Sequence, residues 1–313
     1  MALRITKASE PITVERLKVV IYGQPGAAKS SIAFTAADPL LLDFDGGSYR
    51  AANRKDVVQV EQWSDAAGIT ADDLAPYKTV IIDTAGRALD LLTMDIIRAN
   101  PKAGNGGALS IQGYGTLKAR FGAFLTLLNS FGKDVVLVAH MEEKSRGDDV
   151  IERLDVQGGS KGEIYKSADA MGRLTIENGQ RWLKFSPTDA AYGKNPGQLE
   201  PLLVPSADSA EFDGFLARVI QRTKDKINTL NEEQKAAKAE QDWFREALPK
   251  LTDAEGVNGL ITRAKAAGKA VGQMLHNRAT ELELVFDKAA GAYAGKTAAD
   301  AGADQQQRET VDA

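Results

Sequence analysis

The stretch GQPGAAKS, residues 23–30, decides the fold of this 313-residue chain. The apolar run LKVVIY lies directly before it, and residues 29–37, which we predict to be helical, follow it. A buried strand, a glycine-rich turn and a helix form the context that the phosphate-binding pattern G-x-x-x-x-G-K-[ST] requires. In that context, backbone N–H groups at the start of the helix cradle phosphates. The stretch therefore predicts a nucleotide site in an α/β protein.

Ala28 stands where the pattern has its second glycine. If this position requires a positive φ, alanine costs about 1–2 kcal/mol there. If φ is negative, the difference is only the room that one methyl group takes. Either penalty is small beside several charge-assisted hydrogen bonds to phosphate. We therefore interpret the loop as a working site; the alternative is a Gly/Ala-rich turn before an ordinary helix.

The predicted nucleotide-binding residues cover the whole loop and the first turn of the helix. They are Gly23, Gln24, Pro25, Gly26, Ala27, Ala28, Lys29, Ser30 and Ser31. Among them, Lys29 would reach the β and γ phosphates of ATP, and Ser30 would bind Mg²⁺.

Composition excludes several other kinds of site. The chain has no cysteine, which excludes disulfides and thiol catalysis and fits a cytoplasmic protein. Its only histidines are His140 and His276, too few for a histidine-rich metal site. The net charge of -4 gives no global basic field, so any nucleic-acid site must be a local patch. The start MALRITKASE lacks the apolar core of a signal peptide, and no apolar run is long enough to cross a membrane.

Further apolar runs predict a mostly parallel sheet covered on both faces. We predict buried strands at residues 39–45, 79–83 and 134–140, and a helix at 116–130 whose apolar residues share one face. Asn178-Gly179, between two alternating runs in residues 173–185, predicts an antiparallel hairpin. The predicted fold is thus an α/β core with an antiparallel extension.

Composition changes near residue 205 divide the chain into four predicted parts. These are an N-terminal extension at 1–13, the α/β core at 14–207, a helical region at 208–295 and a polar tail at 296–313 that we predict to be disordered. The helical region could be an oligomerisation arm, a DNA clamp, a docking site for a single-strand-binding protein or a plain appendage on the core.

Three polar residues end predicted strands and are candidates for the chemistry. Asp83 could hold Mg²⁺ or its water, or it could cap the next helix. Asp45 could orient the attacking water, or it could be a turn aspartate; of Asp43 and Asp45, we expect at most one to take that role. His140 could sense the γ-phosphate or be a hydrogen-bonded structural histidine.

The motifs GQPGAAKS, LLDFDGG, VIIDT and VLVAH, in this order, resemble the core of RecA-type ATPases. More narrowly, the chain resembles phage-encoded RecA-like recombinases of the Sak single-strand-annealing type. The resemblance implies that Asp45 is the catalytic carboxylate, Asp83 the Walker B aspartate and His140 the polar sensor. Where this chain has Asp45, the family more usually has glutamate.

The resemblance also implies partners: single-stranded DNA and further copies of the chain in a ring or filament, with ATP between neighbouring subunits. A basic residue supplied in trans would then complete the site. The candidates are Arg181, Lys184 and Lys194. Two loops, at residues 100–114 and 142–160, would contact the DNA.

The first of these loops carries the better residue evidence. Between residues 96 and 120 every charged residue is basic, and Tyr114 could stack on a base. The DNA-binding candidates are Arg98, Lys102, Tyr114, Lys118 and Arg120. In the second loop acids outnumber bases, which favours a solvated, flexible loop.

We therefore predict a Mg²⁺-dependent ATPase that binds single-stranded DNA and promotes annealing or strand pairing in phage-type recombination, located in the cytoplasm. One alternative is a scaffold that binds ATP but hardly hydrolyses it. Another is a GTPase of the signal-recognition type, because IIDTAGR resembles a D-x-x-G switch. The guanine-reading motif of such a GTPase has only a poorly spaced counterpart, T-K-D at residues 223–225.

Overall fold

The computed structural model describes residues 13–106, 108–147, 149–157 and 160–295. Its contacts divide the chain into two compact units. The first is Thr13–Asn228, and the second includes residues 229–295. The predicted N-terminal extension, apart from its last residue, and the predicted polar tail lie outside the described residues.

The first unit alternates strands and helices along most of its length. Its strands are β1 (Lys18–Gly23), β2 (Pro39–Asp43), β3 (Asp56–Gln59), β4 (Thr79–Asp83), β5 (Gly104–Asn105), β6 (Ala108–Leu109), β7 (Asp134–Arg146), β8 (Asp149–Leu154), β9 (Ala170–Glu177), β10 (Gln180–Lys184) and β11 (Leu202–Leu203). Its helices are α1 (Lys29–Ala33), α2 (Trp63–Ala67), α3 (Ala85–Ala99), α4 (Ile111–Ser130), α5 (Ser160–Ser167) and the first part of α6 (Phe215–Ala247).

A nine-stranded sheet forms the centre of this unit, in the order β11-β10-β9-β1-β7-β4-β2-β3, with β8 paired to β7. The pairs from β9 to β3 are parallel, and β8, β10 and β11 pair antiparallel. The predicted α/β fold with a mostly parallel sheet and an antiparallel extension is confirmed. The predicted hairpin is the β9–β10 pair, in which Asn178 and Gly179 both have positive φ.

Apolar side chains cover the sheet on both faces. Val20 and Tyr22 of β1 lie in one core cluster, while Val19 and Ile21 lie in the other. A strand buried on both faces has no polar side to show, which explains the continuous apolar runs in the sequence. The parallel register places Gly23 beside His140 and Asp43 beside Asp83. The loops that follow these strands therefore open at one edge of the sheet.

Three predicted elements have different bounds in the structure. Helix α1 ends at Ala33 and not at residue 37, because the next N–H groups donate only three residues back, Thr35 to Ile32 and Ala36 to Ala33, as in turns. Helix α4 begins at Ile111, five residues before the predicted start at 116, and Ser110 caps it. Residues 142–160, predicted as a flexible loop, instead contain the β7–β8 hairpin, which buries Leu154 despite its many charges.

The first unit also extends past the predicted end of the core at residue 207. The first turns of α6 carry Phe215, Leu216 and Ile220, which belong to one core cluster of the sheet. Lys224, on the same helix, forms an ion pair of 2.7 Å with Asp134 at the amino end of β7. These contacts attach the first part of α6 to the sheet as far as Asn228.

The described part of the second unit contains the rest of α6, then α7 (Ala254–Gly259), α8 (Ile261–Ala267), α9 (Lys269–Glu281), β12 (Leu284–Asp287) and β13 (Ala292–Gly295). The prediction of a helical region is confirmed except for the β12–β13 hairpin. Phe244, Val257, Val271 and Tyr293 lie in its own small core. Among the described residues of the chain, no helix has the length and apolar character that crossing a bilayer requires.

Candidate functional site

The loop after β1 adopts two left-handed residues before α1 begins. Gly26 has φ 76°, and Ala28, at the N-cap of α1, has φ 69° and ψ 28°. The position that the pattern reserves for glycine therefore does require a positive φ, and alanine adopts it at a cost of about 1–2 kcal/mol. Of the two possible costs of Ala28, backbone strain and the room that a methyl group takes, the structure shows backbone strain.

Lys29 folds back over its own loop. It is 5% exposed, and its ammonium nitrogen donates to the carbonyls of Gly23 at 3.0 Å and Gln24 at 2.8 Å. Burial lowers the pKa of Lys29 to about 8, although the carboxylates of Asp83 and Asp45 act in the opposite direction. The nearby carboxylates favour the charged form of Lys29, and its ammonium lines the cavity beside the loop, where it could bind an anion.

Asp83, the last residue of β4, is 5% exposed and faces this lysine. Burial raises its pKa to about 6, while a hydrogen bond with Ser30 lowers it and the nearby Asp43 and Asp45 raise it. The helix-cap alternative for Asp83 is wrong, because Thr84 caps α3 and accepts from the Arg87 N–H at 3.4 Å. Asp83 is therefore free of a capping role and lies beside Ser30.

Asp43 and Asp45 have different environments. Asp43 is buried and accepts the backbone N–H groups of Gly47 at 3.1 Å and Ser48 at 2.9 Å, so it holds the turn after β2. Burial by itself would raise the pKa of Asp43, but its hydrogen bonds, those with Ser48 foremost, outweigh that effect and lower it. Asp45 instead faces a cavity, and its carboxylate lies 3.5 Å from each of two arginines, Arg50 and Arg87.

The cavity at the carboxyl edge of the sheet, of about 280 Å³, brings most of these groups together. Its lining residues are Gly26, Ala28, Lys29, Ser30, Ser31, Asp45, Gly47, Arg50, Ala51, Asp83, Thr84 and His140. Four of these residues were not predicted from the sequence: Gly47, Arg50, Ala51 and Thr84. Arg50 comes three residues after Gly47, the last residue of the motif LLDFDGG, so its position near that motif could have indicated it. Among the predicted loop residues, Gly23, Gln24, Pro25 and Ala27 do not line the cavity.

The sequence profile of a family described as "AAA domain" matches residues 15–196, more than half of the chain. This chain belongs to the AAA domain family. The match spans the phosphate loop and Asp83, and an AAA-type domain indicates a nucleotide-binding P-loop ATPase. No curated protein matches the chain.

The DNA-binding candidates lie outside the cavity of the AAA domain, and three of them are paired with acids. Arg98 and Arg120 both bind Asp95, at 2.9 and 2.8 Å, and Lys118 binds Glu163 at 3.0 Å. The all-basic window in the sequence stops just short of Asp95, and Glu163 comes from α5. The local positive charge is therefore weaker than the sequence alone indicates.

Two other DNA-binding candidates lie nearer the start of α4. Tyr114 packs partly buried against the core of the AAA domain, so its ring offers only part of its surface for stacking on a base. Lys102 is exposed in a short 3₁₀ helix at Pro101–Ala103. The loop itself folds back as the short β5–β6 hairpin before α4.

The three predicted trans cations lie in or after the antiparallel extension of the AAA domain. Lys184 forms an ion pair with Glu177 on the neighbouring strand. Lys194 donates to the Ala168 carbonyl at 2.8 Å and lies over the Tyr165 ring, so it ties segments of its own subunit together. Arg181 is exposed on β10. Of the three, Arg181 is the one whose exposure best suits contact with a neighbour.

Proposed function

We propose that this AAA domain is a Mg²⁺-dependent ATPase with a RecA-like core that acts on single-stranded DNA. The observation that carries the ATPase part is the meeting of Lys29, Ser30 and Asp83 around one cavity at the carboxyl edge of a parallel sheet. Ligands of open α/β sheets bind at that edge. The ammonium, hydroxyl and carboxylate are the groups that phosphoryl transfer with a metal requires.

The donor groups suit magnesium. Ser30 and Asp83 offer hard oxygen ligands, and the burial that raises the pKa of Asp83 to about 6 leaves a carboxylate that gains from a nearby cation. Among the described residues, no group of three or more acidic, histidine or cysteine side chains could hold a metal ion by itself. Magnesium bound by one or two protein groups and the phosphates of its substrate fits this set. When bound, the ion would neutralise charge that develops on the phosphates.

The residues of the chain would divide the remaining work. Backbone N–H groups of Gly26 and residues 28–30, together with the Lys29 ammonium, would hold the β and γ phosphates. To do so, Lys29 would exchange its hydrogen bonds to the Gly23 and Gln24 carbonyls for charge-assisted bonds to phosphate.

Asp45 would orient the attacking water and accept its proton. In this structure its carboxylate lies between Arg50 and Arg87, so these two arginines also place positive charge at the edge of the cavity within the same chain. Such cations can stabilise charge on the transferred phosphoryl group. A cation from a neighbouring subunit, for which Arg181 is the candidate, would then add to the positive charge of Arg50 and Arg87 at the cavity.

A nucleotide-binding scaffold with little turnover is the second candidate. Two observations favour it: Ala28 is held at φ 69°, and the arginines partly neutralise the carboxylate that should activate water. A scaffold would bind ATP as tightly as an enzyme but release phosphate slowly.

The GTPase alternative receives no support from the site. Its guanine-reading motif would have to be T-K-D at residues 223–225, within α6. Lys224 of this motif binds Asp134 at the amino end of β7, whereas the phosphate loop lies at the carboxyl ends of the strands. A base-reading motif must reach the nucleotide that the loop holds, so this one is on the wrong edge of the sheet.

The DNA part of the proposal rests on the resemblance to Sak-type recombinases and on the basic residues near α4. We propose annealing or strand pairing of single-stranded DNA, by a ring or filament of several copies, with a single-strand-binding protein as a further partner. Of the basic candidates, Lys102 is exposed, and Arg98, Lys118 and Arg120 could exchange their acids for phosphates.

Phosphate release with and without single-stranded DNA tests the proposal. An ATPase of the recombinase type releases phosphate faster when DNA is added, and Lys29→Ala abolishes both rates. ATP binding without measurable release would support the scaffold instead. Intact ATP binding in Lys29→Ala would contradict both candidates, because each places the phosphates on this lysine.

A further inference from the structure

The second unit contains a cavity of about 380 Å³ that the proposed ATPase does not use. Its walls come from α8, α9 and the β12–β13 hairpin, so it lies wholly within residues 261–293. Ile261, Leu275 and Phe286 provide much of an apolar lining. A volume of this size fits one or two large side chains or a small ligand.

The aromatic floor of the cavity is fixed in place. The Phe286 and Tyr293 rings stack edge to face with centroids 5.0 Å apart. The Tyr293 hydroxyl lies 3.1 Å from Nδ1 of His276, and its backbone N–H and carbonyl both bind the Asn258 side chain. Because Tyr293 is buried and its hydroxyl is already hydrogen-bonded, the floor presents a mainly apolar surface to the cavity.

Two lysines border this apolar surface from different elements. Lys265 lies on α8 and Lys288 in the turn between β12 and β13, and both are exposed. Neither lies within ion-pair distance of a carboxylate in the part of the chain that the structure describes. The nearby Asp287 carboxylate accepts the backbone N–H groups of Ala289 and Ala290, so it is engaged in closing its own turn.

We infer that this cavity binds an acidic peptide segment of a partner protein, with a large apolar side chain inserted between the two lysines. We choose an acidic ligand on the basis of charge complementarity, because, within the described ranges of the chain, the lining of the cavity has two lysines without ion pairs and no carboxylate. Their placement on separate elements matches several carboxylates along an extended chain better than the single carboxylate of a small acid. The apolar lining requires a large side chain to displace its water.

Gly272 makes the inference sharply testable. It lines the cavity from α9, and a Cβ built there meets no atom within 4 Å. The Cβ of a larger residue therefore has room at this position, so a leucine side chain would extend into the cavity, and leucine also favours the helix over glycine. Gly272→Leu should therefore block the peptide while the unit stays folded.

The experiment measures fluorescence anisotropy of a labelled peptide, Asp-Asp-Glu-Phe-Leu-Glu-Asp-Asp, with the full-length chain. We expect saturable binding that weakens as the ionic strength rises from about 0.05 M to about 0.5 M. We also expect it to weaken about tenfold or more in Lys265→Glu, in Lys288→Glu and in Gly272→Leu, because each removes charge or space from the site. A peptide with Ala-Ala in place of Phe-Leu should bind no better than these variants.

Lys269→Glu is the matched control, because Lys269 is also an exposed lysine of this unit but does not line the cavity. It should bind the peptide like the unchanged chain, and thermal melts should show that all variants are folded. The inference is overturned by any of three results: no saturable peptide binding; equal losses in Lys269→Glu and Lys265→Glu; or binding only after residues 296–313 are removed, which would make that tail the occupant. Loss of oligothymidylate binding in the two lining-lysine variants, with peptide binding unchanged, would also overturn it.

Discussion

The ammonium nitrogen of Lys29 lies 3.5 Å from Nδ1 of His140. Burial lowers the pKa of His140, and the charge of Lys29 lowers it further, so the ring is neutral at neutral pH and its Nδ1 can accept from the ammonium. The contact joins the phosphate loop to the adjacent strand β7. Proton equilibria at the loop should therefore appear directly in nucleotide binding.

Binding of ATP with Mg²⁺ should be tightest between about pH 6 and pH 8. Above the pKa of Lys29, about 8, the free protein loses the positive charge that phosphate needs. Below the pKa of Asp83, about 6, the metal must displace a proton from the carboxylate. Above the pKa of Lys29 and below the pKa of Asp83, the ATP affinity should fall by up to about tenfold per pH unit. Isothermal titration calorimetry across this range would measure both limbs.

Lys29→Arg is the control for the upper limb, because arginine keeps its charge across this range. For this variant, the decline in ATP affinity above pH 8 should vanish while the decline below pH 6 remains. A profile of the unchanged chain that is flat from pH 5 to pH 9 would contradict the placement of these two groups at the phosphates.

Ala28→Gly should relieve the left-handed strain at φ 69°. Glycine removes about 1–2 kcal/mol of backbone strain but costs about 0.5–1 kcal/mol in chain entropy, so we expect the free energy of unfolding to rise by at most about 1.5 kcal/mol. Because alanine already holds the loop in this conformation, ATP turnover should change less than about threefold. Denaturant melts and phosphate release measure the two quantities.

Ala28→Val is the matched opposite change, because a β-branched residue is a genuine outlier at positive φ. It should lower both stability and ATP affinity. If Ala28→Gly raises turnover by two orders of magnitude, the natural loop is impaired, and the scaffold becomes the better account.

Asp45→Asn should separate binding from chemistry. If Asp45 accepts the proton of the attacking water, its amide variant should lose about 100-fold or more in turnover while ATP affinity changes little. Arg50→Ala and Arg87→Ala remove the cations beside it, and we expect each to lower turnover by about tenfold or more through lost charge stabilisation. Single-turnover phosphate release measures all three.

Lys55→Ala is a suitable control here, because Lys55 is an exposed cation that does not line the cavity. Full turnover in Asp45→Asn would show that another group activates the water. A rise in turnover in Arg50→Ala would instead show that the arginine restrains Asp45.

Asp95→Ala should strengthen binding to single-stranded DNA. Asp95 binds both Arg98 and Arg120, and its removal would free two guanidinium groups for phosphates. The affinity should rise and its salt dependence should steepen by about one to two counterions. Filter binding at several salt concentrations measures both, with Asp242→Ala, which frees only Arg245 in the second unit, as the control. Unchanged DNA affinity in Asp95→Ala would place the DNA elsewhere on the protein.

The sheet could be predicted where residue type alone decides structure. The runs VVIY and TVIID are short and rich in β-branched residues, which favours buried strands, and Asn178-Gly179 favours the turn between β9 and β10. Two hairpins were not predicted from the sequence. The β7–β8 hairpin carries many charged residues, and the strands of the β12–β13 hairpin are short and follow a helix, so neither shows a clear alternation of apolar and polar residues.

The site was predictable only where a motif names the residue. Lys29 and Ser30 begin the helix after β1, and Asp83 ends β4. In a parallel sheet the carboxyl ends of such strands lie at one edge, so these residues are expected to meet there. The pairs of Asp95 with Arg120 and of Asp45 with Arg50 depend on how α3 meets α4 and on the turn after β2, which no local pattern reveals. The backbone angle of Ala28 likewise needed the fold.

The most direct test of the central claim is Mg²⁺-dependent ATP binding by Lys29→Ala, Ser30→Ala and Asp83→Asn, measured by calorimetry with and without the metal. We expect Lys29→Ala to lower ATP affinity by about 100-fold whether or not metal is present. We expect Ser30→Ala and Asp83→Asn to remove the gain in affinity that Mg²⁺ gives and to leave metal-free binding nearly unchanged. Variants that all bind ATP like the unchanged chain, with the same response to Mg²⁺, would contradict a phosphate and metal site at these three residues.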